Sequence, residues 1–211
     1  MALAKLDQSK NPKVVIITNS SLNYQDKDGN LKERMPKTAA LNVISEAANV
    51  AKMDVGTLQV SFKQGEEWKN YWIDVNEKNN NVSLKPCNSA ENAIVYANAY
   101  ANERGGWDYS FNEKSEAGKA FIDGLSVKAW TNEKEGRVSS YVESRVTLKN
   151  DELHKQLTEK GDGAIAILSK EKGFEVTTEN ELKVAKAQKA QEKQTPSKDS
   201  ELSKKNDEIE R

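Results

Sequence analysis

The stretch TLQVSFKQGEEWKNYWIDV, residues Thr57–Val75, decides the fold class. Apolar residues occupy every second position on both sides of the turn Gln64–Glu67: Leu58, Val60 and Phe62 before it, Tyr71, Ile73 and Val75 after it. Alternation of this kind is typical of strands with one buried face, and two such runs joined by a short turn predict an antiparallel hairpin.

Further apolar runs predict strands on either side of this hairpin. The short ones are Lys13–Thr18, Val82–Lys85, Ala164–Ser169 and Gly173–Thr177. Two longer ones, Lys119–Trp130 and Arg137–Leu148, are predicted to pair across the turn Asn132–Gly136. Because short turns join most of these runs, the predicted sheets are antiparallel.

Three segments are predicted to be helices. The first spans about Lys37 to Met53 behind Pro36, with an alanine-rich stripe at helical spacing. A second alanine-rich helix is expected from the cap Ser89 to about Arg104, and a shorter third one from Asn150 to Lys160. The predicted class is therefore α+β: antiparallel sheets with two alanine-rich packing helices, a shorter third helix and a disordered C-terminal tail.

The organisation expected along the chain has four parts. Residues 1–12 are predicted to be a flexible leader, 13–111 an α+β N-terminal part, and 112–180 an α+β C-terminal part that can form one domain with the preceding part. Residues 181–211 contain few large apolar side chains and are predicted to be a charged tail, helical to about Lys193 and disordered past Pro196.

Composition excludes several classes of protein. The 211 residues include one histidine and one cysteine, which excludes a disulfide framework and a multi-cysteine zinc site. No run of 18 apolar residues is present, and the N-terminus has no apolar signal core, so a cytoplasmic protein is predicted. The chain has 27 lysines, 5 arginines and 20 asparagines, a bias of A+T-rich genomes that suggests an origin in a bacterium, a plasmid or a phage.

Catalytic motifs are not evident in the sequence. Phosphate-loop, dinucleotide and nucleophile-elbow patterns are missing, and the segment Asp26–Asn30 lacks the spacing of a calcium loop. Cys87 and His154 do not by themselves form a nucleophilic or metal site. We therefore expect a non-enzymatic protein without a cofactor; a metal enzyme that uses only carboxylates is the alternative.

The strongest functional signal is a set of aromatic and basic residues on the polar sides of the predicted strands. In the strand after Gly136, Arg137, Tyr141 and Arg145 alternate with apolar residues, among them Val138 and Val142. The set predicted for a nucleic-acid-binding face is Lys128, Trp130, Arg137, Tyr141 and Arg145, with Trp68, Trp72 and Lys63 on the first hairpin. Single-stranded nucleic acid suits such a face, because bases stack on rings while cations contact phosphates.

The sequence accordingly predicts an accessory protein that binds single-stranded nucleic acid. The alternative is a protein-interaction or inhibitor module, for example a mobile-element factor that binds a host protein, because tryptophan and tyrosine are common anchors of protein interfaces. Mixed aromatic and basic residues are also ordinary on the outer surface of an antiparallel sheet. No membrane contact is expected under either reading.

Overall fold

The computed structural model describes residues 1–78, 81–88, 90, 93–101, 107–132 and 137–192. Along the chain, the helices and strands are β1 (Ala2–Leu6), β2 (Val14–Ile16), β3 (Asn23–Gln25), β4 (Leu31–Glu33), α1 (Pro36–Ala51), β5 (Thr57–Gln64), β6 (Glu67–Asn76), β7 (Asn81–Pro86), β8 (Val95–Ala101), β9 (Trp107–Phe111), α2 (Glu116–Gly124), β10 (Val127–Asn132), β11 (Arg137–Val142), β12 (Ser144–Lys149), α3 (Asp151–Lys160), β13 (Ala164–Ser169), β14 (Gly173–Thr178) and α4 (Glu179–Glu192).

One large antiparallel sheet organises the molecule. Its ten strands lie in the order β14-β13-β1-β2-β12-β5-β6-β7-β8-β9, so strands from both expected parts of the chain belong to it. The hairpin predicted from Thr57–Val75 forms as β5 and β6, with Val60 opposite Tyr71. Two smaller pairs are present, β3 with β4 and β10 with β11; we call the β10–β11 pair the ribbon. The α+β class with a large antiparallel sheet is confirmed.

Helix α1 covers one face of the sheet, which we call the inner face. Its alanines at 39, 40, 47 and 48 are fully buried with Val43, Ile44 and Val50. They belong to the same apolar cluster as Val60 and Val146 of the sheet. Small side chains let a helix backbone approach closely, and Pro36 suits the first turn because the N–H it lacks would be unpaired there.

Helix α2 extends the inner-face core through Phe121. The Phe121 ring lies edge-on to Phe62, with ring centroids 5.1 Å apart, and also contacts the rings of Tyr71 and Phe111. Ser115 caps the helix, because its hydroxyl oxygen accepts the Gly118 N–H at 3.0 Å. Glycine is needed at 118, since a Cβ there would lie only 2.2 Å from the carbonyl oxygen of Asn112.

The expected second alanine-rich helix, from Ser89 to Arg104, is wrong. Residues 95–101 form strand β8, in which Val95 and Ala97 are buried while Tyr96 and Tyr100 are exposed. The apolar residues fit a period of two as well as a helical one, and pairing with β7 and β9 selects the strand. The expected cap Ser89 and stop Gly105-Gly106 lie outside the described residues.

The two long strands expected after residue 118 are also corrected. The first half of Lys119–Trp130 is helical, because Phe121 anchors α2 in the core and strand β10 begins at Val127. The strand expected over Arg137–Leu148 divides at Glu143 into β11 and β12, which pair with different strands. Val138, expected to point inward, is 57% exposed because the ribbon extends beyond the core.

The ends of the chain differ from expectation in one respect. A flexible leader over residues 1–12 is wrong for Ala2–Leu6, which form an interior strand between β13 and β2, with Ala4 fully buried.

The predicted third helix forms as α3, and Asn150 caps it by accepting the Leu153 N–H at 2.9 Å. Helix α4 is described as far as Glu192, and the tail predicted beyond it lies outside the described residues. In the described part of the chain, no helix is both long and apolar enough to span a membrane.

Candidate binding face

The face of the sheet opposite α1 carries half of the predicted site residues. Register places Lys63 opposite Trp68 and Gln59 opposite Trp72 on β5 and β6. Arg145 on β12 lies opposite Ser61, the residue between Gln59 and Lys63 on this side of β5. We call this side, together with its continuation on the ribbon, the outer face.

Glu143 joins the ribbon to the large sheet without reversing the alternation of side chains. Its N–H donates to the Ser126 carbonyl at 3.0 Å, and its carbonyl accepts the Lys63 N–H at 2.9 Å. Val142 and Val146 are buried on the inner side. Tyr141, like Glu143 and Arg145, therefore lies on the outer side.

The ribbon places the remaining predicted residues on the same face. Lys128 is opposite Tyr141, and Trp130 is opposite Ser139, two positions along β11. The backbone of Arg137 occupies the next outer position, opposite Asn132. Seven of the eight residues selected from the sequence thus share one face, and the backbone of Arg137 is in register with them; the eight belong to five strands rather than two hairpins.

The aromatic side chains of the outer face are accessible. Trp68 is 48% exposed, Trp72 44% and Trp130 56%, whereas Tyr141 is half-buried. Tyr96 and Tyr100 on β8 add two further exposed rings, since Tyr96 lies opposite the outer-face residue Ser83. The sequence prediction missed both tyrosines because it placed them on a helix. Their alternation with Val95 and Ala97 is the signal that indicates them.

Ion pairs neutralise the cations in the middle of the outer face. Lys63 Nζ lies 3.5 Å from Glu143, Lys85 Nζ 2.9 Å from Asp74, and Arg145 Nη1 3.7 Å from Asp7. Hydrogen bonding to Asp74 raises the pKa of Lys85. Lys128, by contrast, has no carboxylate within ion-pair distance among the described residues.

Asp7 is held as a carboxylate at the edge of this face. Burial raises the pKa of Asp7, but hydrogen bonds from the Lys13 N–H and from Ser9, together with the charge of Arg145, outweigh burial and lower the pKa below its usual value. The Lys13 N–H donates at 3.0 Å and the Ser9 hydroxyl at 2.8 Å. Asp7 therefore both closes the β1–β2 turn and forms an ion pair with Arg145.

Basic residues still outnumber acidic ones on the outer face, although the whole chain carries a net charge of −1. By register, the basic residues are Lys5, Lys13, Lys63, Lys85, Lys128, Arg137, Arg145 and Lys149. The acidic ones are Asp7, Asp74, Asp108, Glu143 and Glu175. The excess of positive charge lies on the ribbon and at the end of the β2–β12 ladder, where Lys13 and Lys149 are found.

The residues weighed for chemistry have separate structural partners. Gln59 Nε2 lies 3.2 Å from Cys87 Sγ, and His154 Nε2 lies 3.1 Å from the Pro12 carbonyl oxygen, to which it donates. The Asp26 carboxylate accepts the N–H groups of Asp28 and Asn30, which closes the β3–β4 turn. In the part of the chain that the structure describes, no three histidine, cysteine or acidic side chains are grouped as metal ligands.

Comparison with known proteins finds no match among protein-family models, among curated proteins or among solved structures.

Proposed function

We propose that this protein binds single-stranded nucleic acid along the outer face. The observation that carries the proposal is the placement of aromatic rings and cations on one face. Exposed Trp130 and half-buried Tyr141 accompany Lys128 on the ribbon; on the sheet, exposed Trp68 lies opposite Lys63 and exposed Trp72 opposite Lys85. Bases stack on aromatic rings irrespective of sequence, while lysine and arginine contact phosphates.

The ribbon is the best-suited part of this face. Its described strands contain Lys128 and Arg137 and no acidic residue. Trp130 is more than half exposed and can stack a base on its indole ring. A single-stranded nucleic acid bound along the ribbon would contact the Trp130 ring and the Lys128 ammonium group, which lie two residues apart on β10.

The ion pairs of the sheet do not prevent this use. Exposed ion pairs contribute only about 0.2–1 kcal/mol, so exchanging a carboxylate for a phosphate costs little at Lys85 or Arg145. The carboxylates nevertheless remain beside the cations and repel phosphate. We therefore expect moderate affinity, with the strongest phosphate contacts at the cations that have no carboxylate partner.

The electroneutral part of the face on strands β5 to β8 favours a second function, binding of another protein. Trp68, Trp72, Tyr96 and Tyr100 are exposed there, and the cations Lys63 and Lys85 already have partners. Tryptophan and tyrosine are the residues most enriched among the hot spots of protein interfaces. A neutral aromatic surface of this kind suits a protein partner better than a polyanion.

Salt dependence distinguishes the two functions. Labelled single-stranded DNA and RNA are titrated with the full-length protein over a range of salt concentrations, with duplex DNA as the control. Nucleic-acid binding predicts that log K falls linearly with log salt, with a slope of about −0.7 for each phosphate contacted on a single strand. An absence of binding at low salt would overturn the proposal and leave the protein-binding function as the better one.

A further inference from the structure

A pocket opens where the outer face meets the N-terminal end of α3. It has a volume of about 290 Å³, near the lower limit for pockets that hold small molecules. Trp72 lines the pocket together with residues from β2, β5, β12 and α3, among them Gln59, Thr147 and His154. Every residue that lines the pocket belongs to the described part of the chain.

Two lysines of this pocket face each other across neighbouring strands. Val14 and Leu148 are paired in the β2–β12 ladder, which puts Lys13 and Lys149 at the next facing position. Both line the pocket, and within the described residues neither ammonium group lies at ion-pair distance from a carboxylate. Like charges directly opposite each other in a sheet repel, so an anion bound between these lysines would relieve that repulsion.

Polar groups beside Trp72 complement the lysines. Gln59 lies opposite Trp72 in the β5–β6 ladder, and its Nε2 is directed to Cys87 Sγ, which leaves the amide oxygen to accept a hydrogen bond from a ligand. Thr147 lies opposite Gln59 on β12. The pocket thus combines a flat ring, hydrogen-bonding groups at its edge and a pair of cations.

From this combination we propose that the pocket holds one nucleotide, with the base stacked on Trp72 and the phosphate between Lys13 and Lys149. Base–ring stacking and lysine–phosphate contact are the two interactions that a nucleotide requires, and Gln59 is the group that would contact the base edge. The inference rests on the proposed function in that the nucleotide would be one unit of the bound strand.

Asp151 supplies a test of the charge argument. It lies at the start of α3 and lines the same pocket, so its carboxylate repels a phosphate held by the lysines. Asp151→Asn removes this repulsion without changing the size of the side chain. The proposal therefore predicts that one substitution in the pocket strengthens binding while two others, Lys13→Gln and Lys149→Gln, weaken it.

The experiment is a calorimetric titration of the full-length protein with nucleoside 5′-monophosphates, with the unphosphorylated nucleosides and inorganic phosphate as separate arms. Trp72→Leu is expected to weaken monophosphate binding about five- to a hundred-fold, the range expected for loss of one stacked base. The matched control is Tyr24→Leu, which removes a similarly exposed aromatic ring from β3, a strand that contributes neither to the pocket nor to the proposed binding residues. Thermal melts of each variant establish that it is folded.

The outcomes separate this inference from the proposed function. Monophosphate binding that Trp72→Leu weakens, Tyr24→Leu leaves unchanged and Asp151→Asn strengthens supports the pocket. If single strands bind but monophosphates do not, the pocket inference is overturned and the proposed function stands. If monophosphates bind and single strands do not, the proposed function is overturned and the pocket inference stands for a free nucleotide. Equal binding of inorganic phosphate and monophosphate would also overturn the inference, because Trp72 would then contribute nothing.

Discussion

Lys63 and Glu143 contact each other twice at the junction of the ribbon and the large sheet. The Lys63 N–H donates to the Glu143 carbonyl oxygen at 2.9 Å, and the Lys63 ammonium lies 3.5 Å from the Glu143 carboxylate. The backbone bond keeps the ribbon in register with β5. The side-chain pair places a negative charge between the aromatic residues of the ribbon and those of the sheet.

Glu143→Gln is expected to strengthen binding of single-stranded nucleic acid. The change removes a carboxylate that repels phosphate and leaves Lys63 paired only with the exposed Glu66, 3.8 Å away, while the backbone hydrogen bond stays. Since an exposed ion pair is worth about 0.2–1 kcal/mol, affinity should rise by up to about fivefold at low salt. Equilibrium binding of a labelled single strand measures this change in affinity. Glu171→Gln, in the β13–β14 turn, makes the same charge change elsewhere and should leave affinity nearly unchanged.

Trp130→Ala and Tyr141→Ala are expected to weaken oligonucleotide binding. Each removes a ring from the outer face of the ribbon, and loss of one base–ring stack costs about 1–3 kcal/mol, or roughly five- to a hundred-fold in affinity. The control is Val142→Ala, which removes buried apolar atoms on the inner side and should lower the free energy of unfolding by about 1–3 kcal/mol. The oligonucleotide affinity of the folded Val142→Ala variant should match that of the wild type. Equal weakening by all three variants would contradict a specific role for the ring face.

Phe121→Ala should be the most destabilising of these substitutions. Its ring is 2% exposed and contacts three other aromatic rings, so the change leaves a cavity between α2 and the sheet. The expected loss is about 3–5 kcal/mol, measured by urea denaturation. Ile122→Ala, on the next and less buried position of α2, serves as the comparison and should cost less. A loss below 1 kcal/mol at Phe121 would contradict its place in the core.

Asp7→Asn should lower stability in a pH-dependent way. The folded-state pKa of Asp7 is below the ordinary value of 3.8, so the carboxylate adds stability that is fully present above that pH and is lost as the pH falls through the folded pKa. The stability difference between wild type and variant should therefore be largest near neutral pH, at about 1–3 kcal/mol for a hydrogen-bonded carboxylate, and should shrink below pH 3.8. Urea denaturation at several pH values measures this difference in the free energy of unfolding. A difference that grows on acidification would contradict the lowered pKa.

Local sequence alone was sufficient to predict the helices and strands whose apolar residues fit only one spacing, either that of a helix or that of a strand. The hairpin of β5 and β6, helix α1 behind Pro36 and helix α3 behind its Asn150 cap all form where expected. Alternation over residues 137–148 also placed Tyr141 and Arg145 on one side of the chain, and that relationship survives the division of this segment into β11 and β12. In each case the local backbone geometry is sufficient to decide which side chains of a segment share a face.

Contacts between distant segments decided the rest. Residues 95–101 contain alanine and tyrosine in a pattern compatible with helix or strand, and the ladders with β7 and β9 determine that they form a strand. The first residues become an interior strand because β13, far along the chain, supplies their partner. The outer face, its ion pairs and the Trp72 pocket likewise depend on strand order. Periodicity reports which face a residue occupies within its own strand, whereas strand order is determined by hydrogen bonds and packing between segments that are remote in sequence.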